Sequence, residues 1–149
     1  LKAEKFSPKE FSMNKSRELD RLMAKEVLGH ETYHEKSGAL RERLPSGQSR
    51  PLRAFSSEIA AAWEIVEKLG ITLLPVDQGW FALVGQKRGW TSPAEFITYL
   101  QTADFTNSGA AVGDDAPMTI CLAAMKAVER REALSQAGDL PSAENELTH

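Results

Sequence analysis

Two stretches of this chain are written as capped, alanine-rich amphipathic helices, and they restrict the fold more than anything else in it. In the first, Ser56 to Leu69, residues Ile59, Ala62, Trp63, Val66 and Leu69 recur at i, i+3, i+4 and i+7, with Ser56 or Ser57 as N-cap and Gly70 as terminator. The second opens on Asp114-Asp115-Ala116-Pro117, an aspartate cap and a first-turn proline, after which Pro117, Cys121, Ala124, Met125 and Val128 are expected to face inward. A helix with one apolar face must bury it against another element, and the alanines allow that element to come close.

A further helix is predicted from about Lys15 to Leu28, because Leu19, Leu22, Met23 and Val27 share a face, Ser16 caps the start and Gly29 closes the end. Residues 30–55 carry no sustained period. Ser37-Gly38, Pro45-Ser46-Gly47 and Ser49-Arg50-Pro51 punctuate them, so a long loop is expected, with a short edge strand at Leu52–Phe55. Ile71–Leu74 and Trp80–Val84 are β-prone runs around Pro75–Gly79 and read as a hairpin with a five-residue loop. Residues 92–102 suit either strand or helix; Ser92-Pro93-Ala94-Glu95, a cap with a capping-box glutamate, favours a helix. Asp104 to Gly113 is small and polar and reads as a loop.

The expected fold class is α+β, a small antiparallel β-sheet (the hairpin and a possible further strand) sandwiched by amphipathic α-helices. At 149 residues and 42% hydrophobic content the chain suits one domain, placed at 13–136. Residues 1–12 read as an extension upstream of Met13 and 137–149 as a polar tail, both disordered.

Net charge is −3, so no global positive field exists to hold a nucleic-acid backbone. No apolar run reaches the roughly 20 residues of a membrane span, and the single cysteine, Cys121, cannot form an internal disulfide. These features lead to the expectation of a soluble protein in a reducing, cytoplasmic setting.

The sharpest chemical motif is His30-Glu31-Thr32-Tyr33-His34, the H-E-x-x-H pattern in which two histidines one helical turn apart bind zinc and the glutamate polarises the bound water. It needs the first helix to continue through Gly29, and a third ligand. His149 is the one other histidine, which leaves a carboxylate such as Glu58, itself explained as a first-turn residue favoured by the helix dipole. A solvated loop beyond the helix cap is the plainer reading, and no cofactor is expected.

Arg41, Arg43, Arg50 and Arg53 cluster with only Glu42 between them, as a phosphate or nucleotide contact requires; a charged surface loop explains them equally. Trp80 and Trp90, with Lys87 and Arg88 between, are placed to stack a planar ligand, although a hairpin already demands a buried aromatic. Asp114 and Asp115 are better explained as caps than as catalytic carboxylates. Cys121, set in an apolar face with no histidine nearby in sequence, is a poor nucleophile.

Several segments taken in order resemble the phage ABA sandwich domain family of small phage and prophage proteins. They are Glu18–Ala24 with Val27 and Gly29; Ile59–Trp63 with Val66–Leu69; Trp80-Phe81; and Ala116-Pro117 with Ile120–Ala124 and Lys126–Val128. The resemblance covers about half of the chain and rests on capping and packing residues. It implies helices flanking a small antiparallel sheet, and a protein acting in the cytoplasm of a bacterial host. The segment between Gly85 and Gly113 departs from the family pattern, so a site there is not inherited.

The leading expectation is a non-enzymatic accessory protein that binds a host or phage protein, or a small anionic ligand, through residues 30–55 or 86–113. Two alternatives accompany it. One is a small zinc-dependent hydrolase using His30, His34 and Glu58 as ligands and Glu31 as base. The other is a nucleotide-binding sponge using the arginines and a tryptophan.

Overall fold

The computed structural model describes residues 16–85, 90–102 and 109–138. The expected extension at 1–12, the residues after 138, and Lys87 and Arg88 lie outside the described residues. Helix α1 is described from residue 16 and ends at Val27; it is α-helical over 16–22 and widens to a π turn over Met23–Val27. Gly29, at φ +74°, closes it, and the His30 N–H reaches back to the Ala24 carbonyl at 2.8 Å. That bond spans one residue more than a Schellman closure, as the widened last turn requires.

Residues 30–55 are not the irregular loop that their punctuation suggests. They form an antiparallel meander of β1 (Glu31–His34), β2 (Leu40–Arg43) and β3 (Ser49–Pro51). Its two turns repeat one device nine residues apart. The Gly38 N–H bonds to the Glu35 carbonyl and the Gly47 N–H to the Leu44 carbonyl, both at 2.8 Å, with the glycines at φ +93° and +97°. Only glycine takes such angles without strain, and a serine hydroxyl accepts from the chain leaving each turn. The Ser-Gly pairs thus connect strands. The expected edge strand at Leu52–Phe55 is instead a non-strand connection in which Leu52 and Phe55 are buried.

Helix α2 (Ile59–Leu69) ends at Gly70, φ +70°, as expected. Its N-cap, however, is Glu58 with no side-chain cap bond, while Ser56 is buried and gives its N–H to Asp20 at 2.8 Å. The buried face is Ala61, Ala62, Ile65 and Val66. Ile59 and Trp63, expected on the inner stripe, are half exposed. Small side chains at 61 and 62 bring the α2 backbone close to its neighbours and rotate the bulky pair outward.

The second sheet is β4 (Ile71–Val76), β5 (Gly79–Val84) and β6 (Ala110–Gly113), all antiparallel with β5 in the middle. The hairpin is tighter than the expected five-residue loop: pairing continues to Val76↔Gly79, leaving Asp77-Gln78 as the turn, with Gln78 at φ +61°. Pro75 is tolerated because β4 is an edge strand. The third strand comes from Ala110–Gly113, the end of the stretch expected to be loop. Gly79 sits where the β5 backbone passes close to β6: a Cβ there would lie 2.5 Å from the Gly113 carbonyl oxygen.

Helix α3 (Pro93–Thr102) forms where the capping box favoured it. Ser92 Oγ accepts from the Glu95 N–H, and Glu95 Oε1 accepts from the Thr91 N–H at 2.7 Å. Helix α4 (Ala116–Gly138) opens on Asp115, whose Oδ2 accepts from the Met118 N–H at 3.0 Å; this is the capping role predicted for the aspartate pair. It runs two residues beyond the expected domain end at 136.

Helix α4 is the centre of the molecule. It packs against β5 and β6 on one side and against α1 and α2 on the other. Accordingly Ile120, Cys121, Ala123, Ala124, Ala127 and Val128 are all buried, a wider face than a helix on a one-sided core shows. Burial, and secondarily Asp20 and Asp115, pushes the Cys121 thiol far above its usual range, which keeps it inert. The fold is α+β, as expected, with two small sheets and four helices among the described residues.

Candidate functional site

Glu42, on the central strand of the first sheet, is fully buried. A bare carboxylate there would be prohibitive, and the meander surrounds it with donors. His30 Nδ1 lies 2.6 Å from Oε1, while Arg50 Nε and the Arg53 backbone N–H each reach Oε2 at 3.1 Å. Burial pushes the carboxyl pKa up, but the hydrogen bonds from His30, Arg50 and the Arg53 amide, with the Arg50 charge, outweigh it and hold Glu42 below the usual range. An ionised Glu42 accepts from Nδ1–H, which fixes the imidazole tautomer and directs Nε2 away. The network continues into α2: Arg50 Nη2 and Arg53 Nη1 both reach Glu64 Oε1, at 3.1 and 2.9 Å.

His30 is nine-tenths buried and lines a cleft of about 520 Å³ between the end of α1 and β1, together with Arg21, Lys25, Gly29, Glu31 and Thr32. Nδ1 is its one hydrogen-bonded ring nitrogen among the described residues, which leaves Nε2 for the cleft. Arg21 binds Glu18 through Nη1 at 3.1 Å, yet its Nε is buried with no hydrogen-bond partner among the described residues. Lys25 is exposed and forms no ion pair among them.

The H-E-x-x-H segment lies on extended chain. Four extended steps place His34 about 13 Å along the chain from His30, against one helical turn in a zinc motif. His34 and Glu58 are exposed, and Glu31 faces Arg43 at 3.6 Å. Among the described residues no group of three or more His, Cys, Asp or Glu is arranged to hold a metal ion.

The four arginines are divided by the strand pleat. Arg41 and Arg43 lie on one face of β2, where Arg41 meets Glu35 at 3.3 Å and Arg43 stands 4.9 Å from the Tyr33 ring centroid as well as near Glu31. Arg50 and Arg53 serve Glu42 and Glu64 on the other side. Each has an acidic partner, so Glu42 is not alone in opposing them.

Trp80 and Trp90 are likewise separated. Register places Trp80 on the inner face of the second sheet with Ala82 and Val84, whereas Trp90 Nε1 donates to Thr72 Oγ1 at 3.1 Å on the outer face. Trp90 packs at 5.2 and 5.1 Å from the ring centroids of Phe96 and Tyr99 and so ties α3 to the sheet. A cleft of about 450 Å³ beside it is lined by Ser92, Glu95, Thr98, Tyr99 and Thr102, whose polar atoms largely serve the helix itself.

Arg21, Lys25 and Thr32 were not singled out by sequence reasoning, because spacing alone does not reveal that a helix end and a strand form one cleft. Glu64 was hidden as an ordinary helix-surface glutamate.

One further surface stands out. On the outer face of the second sheet Leu74, Phe81 and Val112 lie side by side across all three strands, with Val76 beside them. Val112 is 68% exposed, Val76 41% and Leu74 37%.

No family model matches the chain, and no curated protein matches it. Among solved structures it is similar to one described as a phage protein from Bacillus cereus ATCC 14579, at 19% identity and a TM-score of 0.48, over 76% of this chain and 87% of that one. A likeness that distant assigns no family and no activity.

Proposed function

We propose that this protein is a non-enzymatic binding module, a phage or prophage accessory protein that engages a host protein through the outer face of the β4–β5–β6 sheet. The observation that carries the reading is the exposed apolar set Leu74, Val76 and Val112 on the sheet face turned away from α4. Single exposed apolar side chains are ordinary; a set of them on one face of a sheet marks an interface. Helix α3, fastened to this face through Trp90 and Thr72, adds Ile97, itself 53% exposed. Both Ile97 and Val112 belong to the 86–113 segment expected to carry binding. The phage setting is supported by the capping and packing segments described for the sequence.

The test is photo-crosslinking from position 76 on the same face, in the full chain, with Val112→Asp as the control. An aspartate at so exposed a site should leave stability within about 0.5 kcal/mol. A discrete host protein captured by the parent and lost in Val112→Asp supports the reading. An identical capture pattern in both, or a homodimer that Val112→Asp dissolves, overturns it.

A further inference from the structure

We propose that the cleft between the end of α1 and β1 is a second, independent site that binds the phosphate group of a small phosphate monoester. Two cations from successive turns of α1, Arg21 and Lys25, border it. Of the acids nearby, Glu18 pairs with Arg21 through one nitrogen and Glu31 faces Arg43, while Lys25 stays unengaged among the described residues.

His30 supplies the third group. Glu42 holds Nδ1–H, and Arg50 holds the other carboxylate oxygen, so Nε2 is the atom presented to a ligand. One proton then lies between Nε2 and an oxyanion oxygen, brought by imidazolium or by a monoprotonated phosphate. Thr32 offers a hydroxyl. Its backbone N–H also turns to the unpaired edge of β1, because the Glu35 N–H bond to Ala39 fixes the alternation that leaves Thr32 outward. The donor set is thus cationic and positional, suited to a tetrahedral oxyanion. A cleft of about 520 Å³ exceeds what a bare phosphate fills, which points to a phosphate carried on a small organic group.

The test is calorimetric titration of the full chain with inorganic phosphate and, separately, with glycerol 3-phosphate. The monoester should bind the more tightly of the two. Lys25→Ala, at an exposed position, should weaken it about tenfold. His30→Gln, which removes the ring nitrogen presented to the cleft, should weaken it as well. Tighter binding of inorganic phosphate would assign the cleft to the free anion and overturn the monoester. No binding of either at millimolar concentration, or binding unaffected by Lys25→Ala, would overturn the site itself. Lys25→Ala decides this even if His30→Gln does not fold, and neither variant touches Val112.

Discussion

The two sheets have the same number of strands and the same antiparallel pairing, yet they are held by opposite means. The β4–β5–β6 sheet lies on α4 and is fixed by Ala82, Val84 and Ala111 against Ile120, Ala124 and their neighbours in a continuous apolar core. The β1–β2–β3 sheet contributes no buried apolar residue from its strands; its one buried strand side chain is Glu42. Apolar packing is additive and tolerant. A buried carboxylate is neither, because it is satisfied only when every donor is in place. A small sheet can therefore be positioned by one charge, at the cost of having little in reserve.

The contrast is open to direct attack. Glu42→Ala should be the most damaging change, about 4 kcal/mol, because it leaves His30 Nδ1, Arg50 Nε and the Arg53 N–H facing a cavity without their acceptor. Hydrogen exchange should show β1–β3 amides losing protection before those of β4–β6. Ile120→Ala should cost about 3 kcal/mol by chemical denaturation and lower protection in the second sheet first. Gly79→Ala, which drives a Cβ against the Gly113 carbonyl, should cost about 2 kcal/mol.

Acid separates the sheets without mutation. The Glu42 pKa is depressed on folding, so its contribution is complete above the unfolded value of about 4.3 and is lost as pH falls through the folded value. Circular dichroism between about pH 5 and 2 should show a loss of stability that Glu42→Gln no longer displays. The smallest effect belongs to the hairpin turn: Gln78→Gly, relieving a left-handed residue, should gain about 0.5 kcal/mol.

The same contrast explains what was legible beforehand. The helices α2, α3 and α4 announced themselves through Gly70, the Ser92–Glu95 box and Asp115, since caps are local chemistry and survive in sequence. The β4–β5 hairpin was visible because Ile71–Leu74 and Trp80–Val84 are apolar. The first sheet was not, because Leu40-Arg41-Glu42-Arg43 reads as solvated surface and its buried position is a charge. The repeat of Ser-Gly at 37–38 and 46–47 was the available signal, a regular turn spacing read as mere interruption. Ile59 and Trp63 show the limit of periodicity, which finds a face but not its orientation when alanines compete to be inside. At the His30 cleft, the histidine was noticed for a zinc motif that strand geometry pulls apart, while the residues that border the cleft came together only in three dimensions.

The placement of α4 has a consequence for how the chain is made. The helix around which α1, α2 and the second sheet assemble follows all of them along the chain, so these parts await their common support until it has left the ribosome. The β1–β3 meander joins strand pairs at most 12 residues apart and can close as soon as it emerges. Consolidation of the rest is deferred to the arrival of Ile120 and its neighbours, which makes a prematurely terminated product one that keeps its charge-held sheet and exposes its apolar one.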